Sequence, residues 1–217
     1  IGNPELTYRE TITQDVNKLS HVLKKQTGGQ GMFAKMVLNA QPNEPGAGIE
    51  IESKIVGGSI PTQYISAVKA GIEEGLKTGP VAGYPVTDIK IQIIDGAYHE
   101  VDSSEMAFKL CAISAIKSIV QNGKGVLLEP IMDVEVVTPE QYMGDIIGDL
   151  SSRRGQLCSQ DPKMGGVQIV AAVPLANMFG YICQLRTMSQ GRAQFTMQLK
   201  NLQQVPKTIQ EKIQKEK

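Results

Sequence analysis

The stretch Val126-Leu127-Leu128-Glu129-Pro130-Ile131-Met132-Asp133-Val134-Glu135-Val136-Val137-Thr138-Pro139-Glu140-Gln141 decides the fold of the second half of this chain. Residues 127–137 read as a strand. Thr138 then offers an N-cap, Pro139 suits a first helical turn, and Gln141 stands at the capping-box position. Met143, Ile146, Ile147 and Leu150 follow at helical spacing, and Gly155 ends that helix. Further on, extended pieces at residues 156–159 and 167–173 flank a polar turn. Pro174 opens a second helix with Leu175, Met178, Phe179, Ile182 and Leu185 expected inward. Residues 192–200 alternate, with Ala193, Phe195, Met197 and Leu199 on one side. Strand, helix, strand, strand, helix, strand is the ferredoxin-like order. The charged tail, residues 206–217, is expected to form a short surface helix.

Upstream, the pattern changes. An extended opening at residues 6–14 leads through a polar stretch to Thr27-Gly28-Gly29-Gln30-Gly31, and a strand-like run follows at 32–39. Ile49, Ile51 and Ile55 alternate with Glu50, Glu52 and Lys54, a half-buried strand. Pro61 starts a helix whose stripe is Ile65, Val68, Ile72 and Leu76, stopped by Gly79-Pro80. Residues 86–94 alternate again. A second helix over 103–120 is expected to bury Met106, Leu110, Ile113, Ile116 and Val120, with Asp102 as N-cap and Glu105 completing a capping box. The fold class is therefore α+β in two domains, a mixed sheet under two helices and then a ferredoxin-like domain. Asn122-Gly123-Lys124-Gly125 is the polar, glycine-bearing joint, giving domains 1–124 and 125–217.

Composition narrows the function. Hydrophobic residues make up 41% and charged residues 20% of the 217, enough apolar content for globular cores. No apolar run reaches the roughly 18 residues of a membrane-spanning helix, and no signal segment opens the chain, so an intracellular soluble protein is expected. The formal net charge is zero, which argues against a coat of nucleic acid held by bulk attraction. Cys111, Cys158 and Cys183 lie far apart without ligand histidines, so neither disulfides nor zinc are indicated. Cys111 and Cys183 fall in helical patterns and are expected to be small buried hydrophobes.

Catalytic motifs fail on spacing or context. Gly71-Ile72-Glu73-Glu74-Gly75-Leu76-Lys77-Thr78 has the wrong spacing for a phosphate loop and sits at a helix end. Gly29-Gln30-Gly31-Met32-Phe33-Ala34 precedes a strand, whereas a dinucleotide fingerprint follows one and opens a helix. No nucleophile has a base nearby, and His21 is a lone, solvated histidine. Asp102 and Glu105 are explained by capping. No catalytic residue and no metal ligand emerges.

Longer motifs carry a resemblance. Tyr8-Arg9-Glu10-Thr11-Ile12, Gly28-Gly29-Gln30-Gly31, Gly83-Tyr84-Pro85-Val86, Tyr98-His99-Glu100-Val101-Asp102-Ser103-Ser104-Glu105, Leu127 to Met132, Gly148 to Gly155, and Pro174 to Tyr181 stand in order over essentially the whole chain. In this the chain resembles domains IV and V of elongation factor G, a family of translational GTPases. The resemblance implies an elongated α+β domain, like the second domain of ribosomal protein S5, followed by a ferredoxin-like one.

It further implies a mechanical role in GTP-dependent translocation of tRNA and mRNA. GTP and magnesium would belong to a domain outside this chain, and the fragment itself would be no enzyme. Two loops would form the tip that enters the small-subunit decoding centre. The first is Gly28, Gly29, Gln30, Gly31, Met32 and Phe33; the second includes Tyr98, His99, Glu100, Val101, Asp102 and Ser103, with His99 at the family's tip histidine. The second domain would sit near the large-subunit stalk base and rRNA. The protein would be a monomer, cytoplasmic or in an organellar matrix or stroma, with no membrane partner.

Glycine-rich backbone can approach an RNA helix closely and meet phosphates without regard to sequence. A factor serving every codon should read A-form shape. The family's first loop usually reads GGxGQYGHV; here it runs from Gly28 to Met36 with Gln30 for a cation and Met32 for Gln. The alternative is a ribosome-recycling or tetracycline-protection relative of the same architecture.

Overall fold

Two runs of alternating isoleucines and small residues build the first sheet. In the computed structural model, residues 7–26, 29 and 31–217 are described. Among them, β2 (Val16–Gln26), β3 (Gly31–Pro42), β4 (Ile49–Ser53) and β5 (Ile89–Ala97) form a four-stranded sheet in the order β2–β3–β5–β4. The first three pair antiparallel; β4 runs parallel to β5 and is joined to it through α1 (Thr62–Leu76), as a parallel pair requires. Ala34, Met36, Leu38 and Ala40 of β3 and Ile89, Ile91 and Ile93 of β5 turn one face into the core. That face is covered by α1 and α2 (Glu105–Asn122), whose residues share the same cluster.

Several expectations change here. Residues 16–26, read as a polar stretch, are a strand. β2 lies at the sheet edge with Val16 buried and Leu19, His21 and Leu23 half-buried, while Lys18, Lys24 and Lys25 stand in solvent. Such a lysine-rich edge resists pairing with a second chain, and its polarity hides the period-2 signal. The strand expected at 86–94 begins at Ile89 instead; Val86 makes only an isolated bridge to Glu10.

The α2 cap and stripe also differ. Ser104 caps the helix, its hydroxyl accepting from Ala107 N–H at 3.0 Å. The buried face is Ala107, Phe108, Cys111, Ala112, Ala115, Ile116, Ile119 and Val120, while Met106 is 58% exposed. Covered on two sides, α2 places small residues where its neighbours come closest. A Cβ on Gly71 of α1 would collide with the Lys109 carbonyl, and one on Gly75 would meet Ile116 at 3.0 Å. Those glycines therefore serve helix packing and cannot cradle a phosphate.

β1 (Arg9–Thr11) pairs with the first three residues of β6 (Val126–Thr138). The Glu10 carboxylate beside it is buried. It accepts from the N–H groups of Val81, Ala82 and Tyr84 at 2.8–2.9 Å, and a side chain on Gly79 would collide with it. A buried anion is held in this way only by converging donors. Because β1 claims the start of β6, contacts divide the chain at Leu128/Glu129, four residues beyond the sequence joint.

The C-terminal stretch also belongs to this first unit. α5 (Lys207–Lys215) sets Ile209 and Ile213 against Leu127, Ala82 and Tyr84. It is amphipathic and anchored, not a surface appendage.

The second unit, centred on residues 129–203, contains the remainder of β6, α3 (Met143–Ser152), β7 (Gln156–Lys163), β8 (Gly166–Pro174), α4 (Tyr181–Ser189) and β9 (Gln194–Gln204). The strand order β9–β6–β8–β7 is that of the ferredoxin-like plan. Met132, Val134, Val136, Ile146, Leu150, Ile169, Val173 and Leu185 form its core. Thr138 is buried and makes no cap, since Pro139 precedes a short 3₁₀ turn. The helix expected from Pro174 breaks at Gly180, which takes φ +72°. That break rotates Phe179 (85% exposed) and Ile182 outward and Tyr181 inward. Cys183 is exposed with Cys158; only Cys111 is buried.

Two arginines of the Ser151-Ser152-Arg153-Arg154 motif are structural. Arg153 pairs with Asp149 at 3.0 Å and donates to the carbonyls of Asn177 and Phe179. Arg154 forks onto Glu129, which is almost fully buried.

Candidate functional site

The first segment of the expected tip begins where the β2–β3 hairpin closes. Gln26 pairs with Gly31, and Lys24 stands opposite Phe33. Thr27, Gly28 and Gln30 lie outside the described residues; Gly29 is exposed with φ +148°, a conformation open to glycine. The second segment follows β5, which ends at Ala97 opposite Lys35. Both segments therefore leave the same end of the four-stranded sheet.

Hydrogen bonds join them. Phe33 N–H donates to the Asp102 carbonyl at 2.9 Å, and the Ser103 hydroxyl donates to the Phe33 carbonyl at 2.8 Å. His99 N–H donates to that same hydroxyl at 2.9 Å, and Ser103 N–H returns to the His99 carbonyl at 3.1 Å. Gly31 makes this approach possible: a Cβ there would lie 3.1 Å from the Asp102 carboxylate. The Phe33 and His99 rings stack with centroids 3.8 Å apart and an interplanar angle of 7°. His99 is otherwise exposed.

The expected site residues thus divide. Phe33, His99, Asp102 and Ser103 meet around Gly31. Tyr98, Glu100 and Val101 point into solvent. Met32 packs against the hydrophobic core. The Ser103 hydroxyl is already committed on both sides, within the chain.

Sequence reasoning missed Tyr64. Its hydroxyl reaches the Ser103 carbonyl at 3.4 Å and its ring stacks on Phe108 at 5.0 Å, tying the turn to the helices. Nothing in its local pattern distinguishes it from another helical tyrosine. Lys24 and Lys35 flank the stacked pair on β2 and β3 and take part in no ion pair among the described residues.

Among the described residues no group of three or more His, Cys, Asp or Glu is placed to hold a metal ion. Gly71 and Gly75 are buried in a helix contact, so that segment offers no phosphate cradle.

The description "Elongation factor G, domain IV" matches residues 4–124, and "Elongation factor G C-terminus" matches residues 126–213. The chain belongs to the elongation factor G family. An elongation factor G from Rhodopseudomonas palustris (strain BisB18) is 51% identical over 215 residues, covering 99% of this chain and 31% of the relative. A crystal structure of a protein from Thermus thermophilus superposes with a TM-score of 0.85 at 35% identity, covering 98% of this chain and 32% of that one. The chain spans about a third of the length of these matches. They favour the elongation factor over the recycling or tetracycline-protection alternative. No described helix is long and apolar enough to cross a membrane.

Proposed function

We propose that this chain is the ribosome-engaging part of a translation elongation factor that promotes GTP-dependent movement of tRNA and mRNA. The first unit acts as the domain that reaches the small-subunit decoding centre, and the unit centred on residues 129–203 as the domain beside the large-subunit stalk base and rRNA. GTP and magnesium are handled by other parts of the factor. The factor works as a monomer in the cytoplasm or an organellar matrix.

One observation carries the tip assignment. The segments at residues 31–33 and 99–103 are remote in sequence and are bonded together at one sheet end, with the His99 ring exposed. An exposed imidazole on a backbone fixed by internal hydrogen bonds, on the sheet end that also carries the exposed Gly29, suits an RNA helix read by shape and phosphate, without base identity. A steric wedge of this kind needs a fixed backbone and no reactive group.

The test replaces the matching third of the Rhodopseudomonas palustris factor by this chain. The chimera should support single-round translocation. His99→Ala should slow tRNA–mRNA movement severalfold while leaving ribosome-stimulated GTP hydrolysis unchanged. Movement at the parental rate in that variant would remove His99 from the tip.

A further inference from the structure

We infer that Ser103 and Phe33 are positioning residues for His99, acting through it rather than touching the ligand themselves; this rests on the reading that His99 meets RNA. Three elements of His99 are already taken up within the chain. Its N–H and its carbonyl are both bonded to Ser103, at 2.9 and 3.1 Å. One face of its ring is covered by Phe33 at 3.8 Å. What remains for a partner is the opposite ring face and the ring nitrogens.

The clasp is closed. The Ser103 hydroxyl accepts from His99 and donates to the Phe33 carbonyl, while Phe33 N–H reaches Asp102, next to Ser103. Only a group that donates and accepts at one atom can stand there. Alanine would strand an N–H and a carbonyl; threonine would keep both bonds. Phe33 contributes a flat face at stacking distance, which tyrosine reproduces and leucine does not. The Ser103 carbonyl is in turn held by Tyr64 from α1, so the clasp is tied to the helices covering the sheet. Fixing an exposed imidazole in advance removes the cost of ordering it at the moment of contact.

Proton NMR on the 217-residue chain tests this directly. Its two histidines, His21 and His99, are told apart by a His99→Ala variant. The His99 ring protons should lie upfield of free histidine because they sit over the Phe33 ring. Phe33→Leu should abolish that displacement and Phe33→Tyr should keep it. Ser103→Ala should reduce it and Ser103→Thr restore it, with His21 signals unchanged as the control for folding. No upfield displacement in the unsubstituted chain, or the same displacement in Phe33→Leu, overturns the inference.

The translocating chimera gives the second arm. Ser103→Ala should lower the rate constant of movement, not the factor concentration at half-maximal rate. Combined with His99→Ala, it should slow movement no further than His99→Ala alone. Multiplied effects would mean that Ser103 acts independently and would overturn the inference. If His99→Ala has no effect at all, the functional reading fails, and the NMR result alone decides the positioning role.

Discussion

The N–H of Val205 donates to the carbonyl of Leu127 at 2.9 Å, joining the end of the chain to the strand that opens its second half. Around this bond Leu127 N–H donates to the Gln210 side chain, Gln214 donates to the Val81 carbonyl, and the Lys217 ammonium lies 4.4 Å from the Tyr84 ring centre. Ile213 fills the contact beneath them. The final helix is thereby part of the first unit, although it follows the second in sequence.

Ile213→Ala should accordingly destabilise the first unit, by about 2 kcal/mol for a large-to-small change in a packed contact. Hydrogen exchange should quicken at amides of β1 and the start of β6, with little change in β7 and β8. Uniform quickening of the second sheet instead would place the helix wrongly.

Gly71 and Gly148 sit in helix interiors, yet the same substitution should act in opposite directions. Alanine is ordinarily favoured over glycine in a helix by up to about 1 kcal/mol. At Gly148 of α3 nothing lies within 4 Å of an added Cβ, so Gly148→Ala should stabilise by roughly that amount. At Gly71 the Cβ meets the Lys109 backbone, which cannot yield cheaply, and Gly71→Ala should destabilise by about 3 kcal/mol. Chemical denaturation of the two variants gives the signs.

His21 faces inward on the edge strand, and burial lowers the pKa of its imidazole. A base whose folded pKa lies below its unfolded value takes up its proton more readily when the chain opens. Its contribution is fully present above the ordinary value near 6.5 and is lost as pH falls through the depressed folded value. Stability should therefore decline on acidification from pH 7 in a way that His21→Phe flattens. Melting temperatures measured from pH 7.5 to 5 in both proteins check it; parallel curves would assign the pH dependence elsewhere.

Tyr181 places its hydroxyl in the second core without a hydrogen-bond partner. Burial pushes its phenol pKa far above the usual range, Asp149 adding to the effect and Arg153 offsetting it. Removing an unsatisfied buried hydroxyl relieves its desolvation cost while keeping the ring against Phe195 and under Arg153. Tyr181→Phe should be neutral or stabilising by about 1 kcal/mol, whereas Tyr181→Ala should lose several. A clear loss of stability in the phenylalanine variant would show that the hydroxyl is bonded in solution.

Elements whose signal is local were legible from residues alone. The isoleucine alternation of β5, the Val68-Ile72-Leu76 stripe of α1 and the strand and helix order of the second half all follow from side-chain periods of 2 and 3.6. Those periods are written by neighbours a few positions away. The resemblance, carried by long ordered motifs, supplied the family.

What lies across the fold was not written locally. β2 looks polar because only one face of an edge strand meets the core. The α2 stripe departs from its expected residues because two neighbours cover it and their closeness selects alanine over methionine. Phe179 and Cys183 turned outward because a left-handed glycine at position 180 reset the helix. Glu10 in its cage of N–H groups, Ile213 against Leu127, and Ser103 bonding Phe33 to His99 each join residues about 70 or more apart, apart from the short Ser103–His99 link. A periodic pattern says which residues share a face, but which face is covered, and by what, depends on the element that arrives from elsewhere in the chain.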